Sequence, residues 1–386
     1  MKTIVCLSSQ GWNSDLWTNK QHIMSRFAKK GYRILYVNKE IRSFFECCYY
    51  SMFKKSKEFP YFGVYDLTEG VSFANSYSLL FKKKPDKQRF NAYGFKLKLI
   101  QPFFDKCDDD TIVWIYHPGY GDYLDMIPEK CRVVYDCVDD YKTFPEFSSD
   151  SKQQWIQQSE AAILKRADVV FATSKPLYNR LTSVHDNTHY VHNVGDYDHF
   201  NQVSTKSYPK PKSLQVLTGP MIGFFGALSD FKVDFNLLIK MAHTFPDYQW
   251  ILMGPFDQSA LEKRYLELFQ LSNIHFLGKI AYSELPFYLY HMNALMIPYC
   301  LNEHTTHVFP IKFFEALATG KRLFITNLPA LKDYYDVVDL FDEDTIKSVF
   351  SNLTHEDDTR LQNQLQLAKK FSWEYRVEHL LGAVFS

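Results

Sequence analysis

The sequence predicts an α/β protein built from two doubly wound domains. Apolar runs of strand length alternate with helix-spaced stretches through both halves of the chain. That rhythm lapses over residues 201–219, where Pro209 and Pro211 fall, and restarts at Met221, so 201–219 reads as a linker. A length of 386 residues suits two domains, each able to bury a core. Composition is globular, with 46% hydrophobic and 23% charged residues, and the zero net charge provides no global field for nucleic acid.

In the first half, residues 3–9 (TIVCLSS) read as a buried strand and the loop after it carries Gly11. A helix near 21–30 is stopped by Gly31, and residues 33–38 form the next strand. The start MKTIVCLSSQGW is a strand rather than a signal peptide, lacking an apolar h-region and a small-residue cleavage site. Residues 111–117 form another strand that ends in His117. Residues 131–141 form the next, ending in Asp136, Asp139 and Asp140. Polar residues at successive strand ends are what a crevice at a sheet's carboxyl edge needs. The Asp108–Asp109–Asp110 run precedes its strand and reads as a solvated turn. Residues 151–166 have helical spacing, 167–174 form a strand, and KPLYNRL a short helix.

Residues 21–100 carry 16 Lys and Arg against six acids, with Phe and Tyr interleaved. Basic residues among aromatics suit an anionic membrane surface, although a solvated face over core aromatics gives the same composition. No nucleic-acid motif accompanies them. No apolar run reaches the roughly 18–20 residues of a membrane span. The seven cysteines are odd in number and lack paired metal spacing, which fits reduced thiols.

The second half repeats the pattern. Residues 221–226 form a strand, a helix follows near 235–242, and strands recur at 250–255 and 273–280. A helix at 283–292 leads to the strand 294–299 (ALMIPY), and residues 300–309 have no strong period. Pro310 fits a helix's first turn and Gly320 its end. Phe313, Phe314 and Leu317 share one stripe of that helix, and Lys312, Glu315 and Thr319 the other. A helix start above a strand's carboxyl end favours an anion, and a glutamate one turn in can accept hydrogen bonds from hydroxyls such as a ribose's. RLFIT then forms a strand parallel to ALMIPY. Residues 361–385 read as helical.

Pro310, Lys312, Glu315, Ala318 and Gly320 together resemble the donor-nucleotide signature of retaining glycosyltransferases of the GT-B fold, in the family-four group. Within it the chain is similar to bacterial surface-polysaccharide enzymes, the teichuronic-acid type included. The resemblance implies two Rossmann-like domains facing across a cleft: 1–200 on the acceptor side, 213–369 binding the nucleotide sugar, and a helix over 370–386 returning to the first domain. It implies glycosyl transfer from a UDP- or GDP-linked sugar to a glycan or polyprenyl-linked acceptor, at the inner face of the cell membrane, as a cytoplasmic peripheral protein. Lys232 matches the lysine that neutralises the donor diphosphate, and Ala227 stands where relatives carry an arginine. His307 stands where many relatives have a second glutamate. Gly11, Gly226, Lys279, Thr306, His307, Pro310, Lys312 and Glu315 are the implied donor-binding residues beside Lys232. His117 and Asp139 are the implied residues at the reacting sugar, with Lys232 as the third catalytic candidate. Neither a metal nor another cofactor is required, because lysines and a helix dipole can neutralise the leaving diphosphate. A GT-B epimerase acting on UDP-GlcNAc and a catalytically silent scaffold are the alternatives.

Overall fold

The computed structural model describes residues 2–12, 17–43, 63–68, 71–78, 101, 104–105, 107–351, 353 and 358–385. The chain forms two compact units. One comprises Met1–Val191 with Val377–Ser386, the other His192–Arg376.

The first unit is an eight-stranded sheet of β1 (Thr3–Leu7), β2 (Arg33–Ser43), β3 (Gly63–Thr68), β4 (Val71–Ser78), β5 (Thr111–Ile115), β6 (Arg132–Cys137), β7 (Val169–Ala172) and β8 (Thr188–Tyr190). The order is β3-β4-β2-β1-β5-β6-β7-β8, parallel throughout except for the β3–β4 pair. Strands covered on both faces must be apolar along their whole length, and β5 and β7 are buried at every residue. Helix α1 (Asn19–Lys29) is fastened at its start by Gln21. The Gln21 amide oxygen accepts the Thr18 N–H at 3.1 Å, and its amide nitrogen donates to the Gly11 carbonyl at 2.8 Å. Helices α2 (Asp150–Arg166) and α3 (Lys175–Thr182) follow, α3 with Pro176 in its first turn. Asp108, Asp109 and Asp110 lie exposed in a turn before β5, as their order in the sequence predicts. The five described cysteines are free thiols, four of them buried. The regions 44–62 and 79–100, which hold most of the basic, aromatic stretch, lie outside the described residues.

The second unit is a six-stranded sheet of β9 (Met221–Phe225), β10 (Gln249–Met253), β11 (Ile274–Gly278), β12 (Ala294–Ile297), β13 (Arg322–Ile325) and β14 (Asp339–Leu340). All are parallel, in the order β11-β10-β9-β12-β13-β14. The order reverses between β9 and β12, so that is the topological switch point where an open α/β sheet leaves a crevice. Helix α4 (Phe235–Thr244) follows β9, and the Asp234 carboxylate caps it by accepting the Leu237 N–H at 2.9 Å.

The structure departs from the sequence reading in several places. Residues 201–219 are not a linker: Phe200, Val203 and Leu214 are buried in the second unit's core, so apolar content outweighs the two prolines. The segment after β12, which has no strong period in sequence, is partly helical. It holds α5 (Glu303–His307), capped by the Asn302 side chain, which accepts the Thr305 N–H at 2.9 Å. Helix α6 (Ile311–Ala318) has Pro310 as its cap rather than in its first turn. Its Glu315–Thr319 face is buried as well, at 6% and 1% exposure. The helical stretch near the carboxyl end is divided into α7 (Asp358–Lys370) and α8 (Trp373–Phe385). They break where Gly195 bridges to Ser372 and its N–H donates to the Phe371 carbonyl at 3.3 Å. Residues 192–200 fall in the second unit, whereas the domain reading by sequence kept them in the first.

Candidate functional site

The carboxyl ends of β9, β10 and β11 are joined by backbone. The Gly226 N–H donates to the Met253 carbonyl and the Gly254 N–H to the Gly278 carbonyl, both at 2.7 Å. Gly226 has φ +133° and Gly254 φ +157°, conformations that a side chain resists. Space also excludes one, because a Cβ at Gly254 would lie 1.8 Å from the Gly226 carbonyl oxygen. A Cβ at Gly226 would lie 1.6 Å from Cε of Lys312. The lysine of α6 therefore lies across the backbone at the end of β9.

The loops after β9 and β12 are sewn to each other. Val233 and Tyr299 form an antiparallel bridge. The Asp234 N–H donates to the Pro298 carbonyl and the Cys300 N–H to the Lys232 carbonyl, both at 2.8 Å. The Asn302 amide donates to the Phe231 carbonyl at 2.7 Å. This lattice fixes half-buried Lys232 beside α5, with its ammonium 5.5 Å from the Phe231 ring centre. Burial, reinforced by the charges of Lys232 and His307, pushes the His304 imidazole down to about 3, so it is neutral at pH 7. Thr306 and His307 lie in α5, half-buried, the Thr306 hydroxyl donating to the Asn302 carbonyl at 2.8 Å. Pro310 is buried and places the first N–H groups of α6 at the carboxyl end of β12.

Glu315 sits one turn inside α6. Burial pushes its carboxyl up to about 7; the Lys312 charge opposes the rise, Asp196 adds to it, and a hydrogen bond from the Tyr282 hydroxyl opposes it. Burial in turn lowers the Lys312 ammonium, and Glu315 pulls it back. Such a carboxylate, held beside a lysine and a helix start, can accept hydroxyl donors while the cationic groups take an anion. Sequence reasoning did not find Asp196 or Tyr282. Lys279 is exposed in the loop after β11, two strands from β9.

In the first unit the order reverses between β1 and β5. Gly11 follows β1 and His117 follows β5, so these two candidates belong to one switch point. His117 is buried, its Nδ1 accepts the Gly119 N–H at 2.9 Å, and its ring meets Tyr141 edge-on at 4.4 Å. A neutral ring so held carries its proton on Nε2. Asp139 follows β6, one strand further, and is half-buried; Asp136 behind it is fully buried and accepts from the Trp114 indole at 3.4 Å. Asp140 stands 3.6 Å from the Lys142 ammonium. Among the described residues no group of three or more His, Cys, Asp or Glu is arranged to hold a metal ion.

No family model matches the chain. It is 29% identical over 226 residues to the Bacillus subtilis (strain 168) protein named "Putative teichuronic acid biosynthesis glycosyltransferase TuaH"; the match takes in 56% of this chain and 56% of that protein. The chain thus matches little more than half the length of that relative. Among solved structures it is similar to sucrose-phosphate synthase from Thermosynechococcus elongatus (TM-score 0.73, 15% identity, 98% of this chain and 97% of that one). It is also similar to Anabaena Alr3699/HepE in complex with UDP (TM-score 0.66, 14% identity, 100% and 99%). With two Rossmann-like units in one polypeptide and these structural likenesses over its whole length, the chain has the GT-B fold of glycosyltransferases.

Proposed function

We propose that the chain is a glycosyltransferase that moves a sugar from a UDP- or GDP-linked donor to a glycan or polyprenyl-linked acceptor in bacterial surface-polysaccharide synthesis, with retention at the anomeric carbon. The observation that carries this reading is the convergence of Lys312, Glu315, the α6 start and the Lys232 loop at the β9/β12 switch point. Glu315 takes the ribose hydroxyls. Lys232, Lys312 and the N–H groups that open α6 stabilise the charge that grows on the leaving diphosphate, so the reading needs no resident metal. Thr306, His307 and Pro310 line the donor's path beside α6, Gly226 and Gly11 allow close approach, and Lys279 stands at the outer rim. His117 and Asp139 act at the reacting sugar. The name of the Bacillus subtilis relative and the UDP held by the Anabaena protein support the donor and pathway class. A family-four affiliation rests on the Pro310–Gly320 signature.

Two measurements test it. Scanning fluorimetry with a panel of nucleoside diphosphates and their sugars should show UDP or GDP raising the melting temperature, since a ligand at a hundred times its Kd adds about 2.7 kcal/mol of stability; no shift with any nucleotide defeats the reading. Lys232→Ala should lower kcat by about a hundredfold with a smaller change in donor KM, as for loss of one group that meets charge only in the transition state. A raised KM with kcat intact makes Lys232 a ground-state anchor instead.

A further inference from the structure

The carboxylate of Glu315 is held by segments distant in the chain. Residues 193–196 lie directly on α6: a Cβ at Gly195 would stand 2.7 Å from both the Glu315 backbone nitrogen and the Phe314 carbonyl carbon. The Asn193 amide donates to the Phe309 carbonyl at 2.6 Å, and Gly195 is clipped to Ser372. Asp196 is thereby brought beside Glu315. After β11 comes Tyr282, whose hydroxyl lies 3.5 Å from an Asp196 carboxylate oxygen and helps to hold the Glu315 carboxyl down. Tyr282 is itself fixed. The His199 ring stacks on it at 4.4 Å and 13°, its Nε2 bonds the Tyr282 carbonyl at 2.8 Å, and Phe200 meets it edge-on at 5.6 Å.

We propose that Asp196 and Tyr282 are positioning residues that aim Glu315 at the ribose diol, forming one hydrogen-bonded chain, Asp196–Tyr282–Glu315, that gives up a proton when a nucleotide binds. This rests on the reading of Glu315 as the ribose ligand. A hydroxyl has one proton to give. While Glu315 keeps its proton, it donates to the Tyr282 oxygen and Tyr282 donates to Asp196, so the chain is closed and Glu315 faces inward. When Glu315 loses the proton to solvent, both its oxygens become acceptors, as two ribose hydroxyls require. The other titratable groups that face Glu315 are Lys312 on its own helix and Tyr299 after β12, with His199 behind Tyr282.

The test is calorimetry of the full chain with UDP and with 2′,3′-dideoxy-UDP from pH 6 to 8.5, for wild type, Asp196→Asn, Tyr282→Phe and Glu315→Gln. Wild-type affinity for UDP should rise with pH through neutrality while that for the dideoxy nucleotide stays flat. At pH 8 each positioning variant should bind UDP about tenfold more weakly and the dideoxy nucleotide as well as wild type does. The midpoint of the rise should move down in Asp196→Asn, which removes a negative neighbour, and up in Tyr282→Phe, which removes a donor to the carboxylate. Opposite shifts are not produced by a general loosening of the fold, and if one variant melts early the other still decides. If Glu315→Gln loses UDP affinity while Asp196→Asn and Tyr282→Phe change neither affinity nor midpoint, the positioning chain is refuted and the ribose reading stands. If Glu315→Gln also binds UDP like wild type, the ribose reading falls with it.

Discussion

Glu315 is the residue whose chemistry is most out of the ordinary, and its protonation has a consequence for stability apart from any ligand. A carboxyl whose folded pKa is raised from 4.5 to about 7 favours the folded state when protonated. That contribution is fully present below about pH 4.5 and is lost as pH rises through 7. A shift of this size corresponds to on the order of 3 kcal/mol between the two ends of the window. The stability of Glu315→Gln relative to wild type should therefore increase by that amount from pH 4.5 to 8 without nucleotide, read from hydrogen exchange of the β12 amides. A constant difference across that window would mean the carboxylate is already relieved by its neighbours. At this scale the sequence exposed what is local. Lys312 and Glu315 are three apart on one helix, so their pairing could be read from spacing. Asp196 and Tyr282 reach Glu315 only through the tertiary fold, and no periodicity reports such a contact.

At the scale of elements, strands buried on both faces were the most legible, because burial forces them to be continuous apolar runs. Elements set by capping or by irregular packing were not. Helix α5 is one turn long and owes its place to the Asn302 cap rather than to an apolar stripe. Residues 201–219 look like a linker by their prolines, yet three buried residues at 200, 203 and 214 moor them. The split between α7 and α8 follows from the Gly195–Ser372 bridge, a partner no local pattern reveals. The joined ends of β9, β10 and β11 yield a prediction here. Gly254→Ala meets both a positive φ and a backbone oxygen that cannot move aside, whereas Gly278→Ala, at φ +67°, has nothing within 4 Å. The first should cost about 3 kcal/mol or more and the second about 1 kcal/mol. Urea unfolding of the two variants checks the ranking, and equal losses would show that the strand ends relax freely.

For the molecule as a whole, the parallel topology followed from strands alternating with helices. The membrane question turns instead on charge. Between residues 21 and 100 the excess of 16 basic over six acidic side chains is compensated elsewhere in a neutral chain, so the two parts carry opposite surpluses. Arg26 and Lys29 lie in the last turn of α1, Lys30 caps it and pairs with Glu378, and Arg33 opens β2. No helix among the described residues is long and apolar enough to cross a membrane. Attachment through this basic stretch would be electrostatic. Each lysine or arginine near an anionic surface contributes roughly 1 kcal/mol, decaying within a Debye length of about 8–10 Å at ordinary salt. Several acting together give binding that is reversible and weakened by salt, and interleaved aromatics that enter the interface add a part that salt does not remove. Flotation with anionic vesicles should carry the chain upward at 50 mM salt and much less at 500 mM, and neutral vesicles should carry little at either. Replacing Lys82, Lys83, Lys84 and Lys87 by glutamine should abolish most of the difference while leaving the melting temperature in place. Equal and negligible flotation on both vesicle types would make this stretch a solvated face and turn the acceptor assignment toward a soluble glycan.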